Sequence, residues 1–406
     1  TRGQFQQWLR KQLVDLPRNL ARDTFILRSK DTGLTHVETD FASEHDISTL
    51  EWSYESRFAH SQNFSIILKE SFKDWLQEYK PTDMRPKIIY LYLEESVDVS
   101  QMRIKVDEHI QHELNTIGYI KAPILVVGIH DTHLRIAENL ARLHVFEEQI
   151  KADDKERFRR FLPEEIARTY TNLKKEVADA VKSRLYWAAG VTDLPQGRLK
   201  TVCDAILSDV YPNVMPFPFD GFATKSGNGA SDIGELTRAL ILDLVNGDWV
   251  QAQASRLQNR VKTLLVMSWK VLTPKGTIVA PQHPLLKELY ESIYNTHKAD
   301  LSKTLLVTYS MLIAPPYGMN SASAQLLLAL LIGLKIPPRR VMQNGQLVSM
   351  SEWIKMAFPG TAKSTSNFID VSVLKNAQLV FLGEQSIDRW RKALQDWESE
   401  ANYHKL

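Results

Sequence analysis

One cysteine, Cys203, stands in a chain of 406 residues. A single thiol cannot close an intrachain disulfide, and it excludes a structural zinc site built on several thiolates. That usage fits a reducing compartment, so a cytoplasmic location is expected. No apolar run reaches the roughly 18 residues that a membrane-spanning helix needs. No secretory signal pattern opens the chain either, so no membrane association is expected. The first residues, "TRGQFQQW", carry no initiator Met and read as the start of a piece cut from a longer protein. An excess of one charge is also missing. Fifty basic side chains face 48 acidic ones, for a net charge of +2. No overall field therefore draws the chain to nucleic acid, and any such binding must rest on a local patch.

The usual marks of catalysis are absent as well. No G-x-x-x-x-G-K-[ST] occurs. The nearest glycine-rich stretch, "KSGNGASDIG" at 225–234, has its lysine ahead of the glycines and no strand before it. A phosphate cradle needs backbone amides wrapped round the anion with the lysine after them. No G-x-S-x-G elbow exists, so a serine nucleophile cannot be placed. No catalytic, metal-binding or cofactor-binding residue is assigned on these grounds.

What is present is an ordinary globular composition, 44% hydrophobic and 24% charged. The length suffices for about two to four domains. Over residues 1–150 the expected fold is an α/β unit. "FILRS" (25–29) reads as a short strand, and residues 63–79 as a helix with Ile67, Phe72, Leu76 and Tyr79 on one face. "KIIYLYLEES" (87–96) and "APILVVGIHD" (122–131) read as buried strands. Between them Met102, Val106, Ile110 and Leu114 mark an amphipathic helix, and "THLRIAENLARLHVFEEQI" follows as another. Strand and helix alternating at this spacing predict a parallel sheet.

Residues 151–229 read as a helical connector. A stripe from Phe158 through Leu173 to Val181 argues for long helix, and Pro163 marks a kink or a break. Residues 230–300 and 301–406 each read as helices followed by a hairpin. The two hairpins are "KVLTPKGTIVAP" (270–281) and "RVMQNGQLVSM" (340–350), each with a glycine turn between β-prone arms. Helices followed by a two-stranded wing suggest winged-helix-like units. A small packing module without ligand is the other reading of the same pattern. Asp232 is the expected N-cap of a helix over 232–247. In "IAPPYGMNSASAQLLLALLIG" (313–333), a stiff turn leads into an almost wholly apolar helix. That segment predicts a buried core helix capped by Asn320 or Ser321. The expected class is thus α+β multidomain: an N-terminal α/β unit, a helical middle, and winged-helix-like C-terminal elements.

Candidate site residues fall into two groups. Arg256, Arg260, Lys262, Arg339 and Arg340 flank the two hairpins, where cations meet phosphates in a DNA complex. A solvated basic face accounts for each of them equally well, as it does for Arg157, Arg159 and Arg160. The second group, Glu94, Glu95, His130 and Asp131, lies where parallel strands end and where α/β sheets place ligands. Glu94 and Glu95 close a strand of Walker B form, which without a P-loop reads more simply as a plain sheet strand with its acids at the carboxyl end, and His130, Asp131 and His133 have metal-ligand character. Helix capping by Asp131 or Thr132 explains the latter more simply.

The segments "LYWAAG", "ILSDVYPNVMPF", "SWKVLTPKGTIVAP", "APPYGMNSASAQLLLALLIG" and "RRVMQNGQLVSMSEWIKMAF" occur in an order that resembles a known pattern. It is similar to the region downstream of the P-loop core in the large PglY/BrxC-like ATPases of bacterial BREX phage-defence systems. The resemblance covers roughly residues 182–397 and includes no P-loop. It implies a non-catalytic portion that binds DNA, partner defence subunits or a second copy, and couples them to an ATPase core. ATP and Mg are implied for the parent protein only, with no residue here to hold them. The alternative is a small α/β enzyme or nucleotide-binding domain working at the strand ends near Glu94 and Asp131.

Overall fold

The computed structural model describes residues 1–14, 18–34, 38–40, 51–76, 86–192, 194–195, 197–214, 227–319, 321–334, 339–359 and 369–381. The architecture is mixed α/β with helix predominant and small sheets. No helix among these residues is long and apolar enough to cross a membrane. The chain divides into two compact units. The first covers Thr1–Thr39, Trp52–Leu76 and Arg85–Val210, and the second Asp40–Glu51, Gln77–Met84 and Tyr211–Leu406.

The first unit opens with helices α1 (Arg2–Val14) and α2 (Arg18–Leu27), then residues 38–39 of the short strand β1 (Glu38–Asp40) and 52–53 of β2 (Glu51–Ser53). Its centre runs β3 (Glu55–His60), α3 (Phe64–Trp75), β4 (Lys87–Glu94), α4 (Val99–Ile117), β5 (Ile124–Asp131) and α5 (Arg135–His144). The short helix α6 (Ala152–Arg157), α7 (Leu162–Lys182), β6 (Leu185–Ala188) and α8 (Leu199–Val210) complete it. The main sheet has the order β3-β4-β5-β6. The first three strands are parallel, in a register that pairs Glu55 with Lys87 and Glu94 with Asp131. β6 joins β5 antiparallel, with Val127 opposite Tyr186.

The continuous apolar runs of β4 and β5 fit this arrangement, because helices cover both faces of the sheet. α3 and α4 pack together on one side, and α2, α5 and α7 on the other. Met102, Val106, Ile110 and Leu114 of α4 are all buried, as their spacing predicts. Asp98 caps that helix through the amides of Ser100 and Gln101.

Three sequence expectations need correction here. "FILRS" is the end of α2 and the 3₁₀ turn Ser29–Thr32, not a strand. Phe25 is fully buried against Phe58 and Tyr92, so packing of one helix face overrides the local β propensity. Of the kink or break expected at Pro163, the break is what forms: α6 ends before it, and Pro163 stands in the first turn of α7, where its missing amide costs nothing. "LYWA" then leaves the helical pattern as β6. The segment read as a connector thus supplies the edge strand of the sheet and α7 of its covering layer. Arg28, which is buried, donates to Asp31 Oδ2 at 2.7 Å, to Glu148 Oε1 at 2.9 Å and to Glu147. It anchors the π-helical turn Val145–Gln149 that continues α5.

The second unit contains α9 (Gly227–Ile241), α10 (Gly247–Gln251), α11 (Ser255–Val261), α12 (Pro284–Ala299), α13 (Leu305–Ile313) and α14 (Ser321–Gly333). It ends with β7 (Arg339–Gln343), β8 (Gln346–Leu347), α15 (Met350–Ala357), α16 (Val371–Lys375) and β9 (Ala377–Phe381). All thirteen residues of α14 are buried. It packs on α9, α13 and β7 at the centre of one large apolar core. A Cβ on Gly333 would stand 1.8 Å from the carbonyl oxygen of Leu240, so only glycine permits this approach of α14 to α9. Asn320 lies outside the described residues, and Ser321 is already within the helix.

Of the two expected hairpins, the second forms a true ladder. β7 and β8 turn at Asn344 and Gly345, both at positive φ, and β9 adds a third strand in the order β8-β7-β9. The first is reduced to one antiparallel bridge, Leu272 to Ile278.

Candidate functional site

The carboxyl ends of β3, β4 and β5 bring His60, Glu94 and Asp131 to one edge of the sheet. Each is already engaged in holding the fold. Asp131 is buried, and its Oδ2 accepts from the Tyr92 hydroxyl and from the Ala137 amide, both at 2.9 Å. It therefore serves the amino end of α5, as expected of a capping group, although Leu134 occupies the N-cap position itself. Thr132 takes no part in that cap among the described bonds. Burial, with the Asp131 charge beside it, pushes the Tyr92 phenol far up, so the hydroxyl stays a donor.

Arg22 Nε meets Glu94 Oε1 at 2.6 Å. Burial lowers His60, whose Nε2 lies 3.6 Å from Asp23 Oδ1. Glu95 and His133 are exposed, and His130 is half-buried. No group of three metal-capable side chains exists among the described residues. Of the glycine-rich stretch, Lys225 and Ser226 lie outside the described residues, and Gly227–Gly234 is the opening of α9 rather than a loop.

The five cations read as DNA contacts are placed very differently from one another. Lys262 and Arg340 are exposed. Arg256 donates from Nε and Nη2 to the two oxygens of Asp232, each at 2.7 Å. Arg260 is buried and donates to the same carboxylate. Asp232 is therefore not the N-cap expected of it. It sits inside α9, 4% exposed, as the counter-ion of two guanidiniums. Arg339 is 5% exposed, donates to the Leu331 carbonyl, and lies over the rings of Tyr290, Tyr294 and Phe381 at 5.5, 5.2 and 5.4 Å. Its charge is spent on the core of the second unit. The three arginines 157, 159 and 160 coat an exposed face, with Arg159 paired to Glu156 at 2.6 Å.

A different cluster forms at the edge of the main sheet. Beside β6 the first unit opens a cavity of about 1010 Å³. Arg103 and Asp107, one turn apart on α4, line it together with Lys182, Arg184, Tyr186 and Arg198. Among the described residues, Asp107 is the sole carboxylate in that lining, against four cations. Arg103, Lys182 and Arg198 are exposed, and Arg184 is half-buried. Arg184 lies 5.3 Å from the centroid of the Tyr186 ring and donates to the Gly197 carbonyl at 3.1 Å. Lys182 also meets Asp179 at 2.7 Å, on the exposed flank of α7.

Local backbone chemistry makes this edge. Gly128 of β5 lets the Trp187 ring lie against the strand, since a Cβ there would come within 2.7 Å of it. Gly190, at φ 77°, turns the chain past Ile120, whose carbonyl oxygen a Cβ would meet at 2.1 Å. Burial raises Tyr186, opposed by the Arg184 charge, and it raises the Asp107 carboxyl, opposed by Arg103. Four cations, one carboxylate and the Tyr186 ring thus line a single concavity, whose local charge is positive.

Sequence reasoning missed this cluster because its cations are scattered at 103, 182, 184 and 198, and only the β5–β6 pairing assembles them. No family model, no curated protein and no solved structure matches the chain.

Proposed function

We propose that this chain is a non-catalytic, nucleic-acid-binding portion of a larger phage-defence ATPase of the PglY/BrxC-like kind, with ATP and Mg held elsewhere in the parent protein. The observation that carries the binding half of this reading is the cavity at β6, where four cations face a single carboxylate. In a chain whose net charge is only +2, that local excess stands out as a place for phosphates. Lys262 and Arg340, both exposed beside the helix–hairpin elements read as winged-helix-like, offer further backbone contacts. Partner defence subunits, or a second copy, are the other surfaces this reading assigns to the molecule.

Against an enzyme at the strand ends stands the engagement of its carboxylates: Glu94 by Arg22, and Asp131 by Tyr92 and α5.

The test is fluorescence anisotropy of a labelled DNA of generic sequence over about 50 to 200 mM salt, where binding through phosphates changes most. Binding with a dissociation constant of about 10⁻⁴ to 10⁻⁶ M near physiological salt is expected. The double variant Arg103→Ala/Arg198→Ala should weaken it for every sequence and flatten the salt slope by up to about two phosphates' worth. Absence of binding at the low-salt end would overturn the reading.

A further inference from the structure

We propose that the β6 cavity takes single-stranded nucleic acid, with one unstacked base lying on the Arg184–Tyr186 surface and the flanking phosphates on Arg103, Lys182 and Arg198. This rests on the nucleic-acid reading above and narrows its ligand.

Three features carry the step from nucleic acid in general to a single strand. The first is shape. The cations surround a concavity rather than crown a ridge. A duplex keeps its bases stacked inside and offers a protein only phosphates, sugars and groove edges. A flexible strand can lower a base into a pocket while its backbone runs along the rim.

The second is chemistry. Val99, Leu194 and Pro195 share the lining with the charged groups. Phosphates gain nothing from that apolar surface, whereas a base has two apolar faces to bury. Sites for single strands combine a basic groove with planar side chains in this way.

The third is preparation of the stacking surface. Arg184 lies immediately before β6 and Tyr186 within it, and the guanidinium carbon stands 5.3 Å from the centroid of the Tyr186 ring. Their side chains are in contact, and both reach the Gly197 carbonyl, Arg184 Nη2 at 3.1 Å and the Tyr186 hydroxyl at 3.5 Å. A guanidinium held over a ring gives a flat cationic surface before any ligand arrives. Base stacking on Arg planes and aromatic rings is the mode this surface suits.

The experiment compares labelled single-stranded oligo-dT, oligo-U and a hairpin duplex of matching charge, using the full chain at one low salt concentration. The single strands are expected to bind more tightly than the hairpin, and the dT and U arms separate DNA from RNA. Tyr186→Leu should weaken single-strand binding by about 5- to 150-fold, the range for losing one stacked base. Tyr186→Phe, which keeps the ring, should stay close to the parent chain. Hairpin binding should be little changed by either. Photocrosslinking of 5-iodouridine oligonucleotide to the unaltered protein should mark residues 184–187, which guards against a folding defect in the leucine variant. Equal binding of strand and hairpin, weakened by Arg103→Ala/Arg198→Ala but not by Tyr186→Leu, would overturn this inference and leave the broader reading standing. Crosslinks confined to other segments would also overturn it. Failure of all three probes to bind would remove both.

Discussion

Arg256 grips Asp232 with two 2.7 Å hydrogen bonds, from Nε to one carboxylate oxygen and from Nη2 to the other. Arg260 closes on the same carboxylate from a buried position. One acid thus bonds to two guanidiniums and ties α11 to the middle of α9.

The first prediction follows from that arrangement. Asp232→Asn removes the buried carboxylate charge that Arg256 and Arg260 share. Breaking a buried pair by removing one partner costs about 3 to 5 kcal/mol. Arg256→Gln, at a side chain 42% exposed, should cost much less, because water already screens that bond. Urea denaturation of the three proteins measures the ordering. Equal losses for both variants would show that the buried carboxylate contributes no more than its solvent-screened bond to Arg256.

Helix α14 supplies a second test. Leu330 is fully buried, and truncation to alanine leaves a cavity costing about 2 to 5 kcal/mol. Leu330→Asp should abolish cooperative folding of the second unit, since an unpaired charge in that core is far more costly. Gly333→Ala should also destabilise it, because the added methyl meets the Leu240 carbonyl rather than a movable side chain. Differential scanning calorimetry of the full chain reads all three. A Leu330→Asp protein with an unchanged melting profile would mean that this helix face is open to water.

Stability should fall in mild acid. Burial lowers His60, His283 and His297, and Lys270 adds to the effect at His283. His297 is 1% exposed, with Nε2 2.6 Å from the Thr308 hydroxyl. The unfolded chain then takes up protons that the native state refuses, so the fold gains stability as pH rises. That gain is complete above the ordinary histidine value of about 6.5 and is lost progressively below it. Urea midpoints at pH 7.5 and 5.5, chosen to bracket that value, should differ in this sense. His297→Gln should shrink the difference, and a midpoint that rises in acid would contradict the assignment.

Cys203 should be chemically silent in the native protein. Burial among apolar neighbours, with the Asp204 charge beside it, pushes its thiol up to about 12. Neither a thiolate nor access is available for attack. Labelling by an aromatic disulfide reagent should therefore proceed at the rate of unfolding and accelerate with urea. Fast stoichiometric labelling in buffer would show that α8 opens locally.

The parts of the fold legible in the sequence were those whose signal is local. β4 and β5 announce themselves as apolar runs, α4 by the spacing of Met102, Val106, Ile110 and Leu114, and α14 by apolar composition alone. From sequence alone Asp232 suggests a cap, because serine, aspartate and similar residues favour helix starts. Its actual partners are 24 and 28 residues away, beyond any local pattern. Arg339 was equally opaque, since nothing in "RRVMQ" tells which of two adjacent arginines faces three rings and which faces water. The candidate site was hidden for the same reason. Strand alternation can be read one residue at a time, but the antiparallel return of β6 onto β5 cannot.

That return has a consequence for the order in which the first unit is made. β3, β4 and β5 join through short crossovers, but β6 reaches β5 only after the chain has run from Asp131 to Leu185 through α5, α6 and α7. Its closure entropy is the largest in the sheet, so this pairing is set to arrive late. The basic cavity is thus a seal on the finished unit. It exists only once the last strand is home, and any ligand it holds draws the population away from chains whose sheet is still three strands wide.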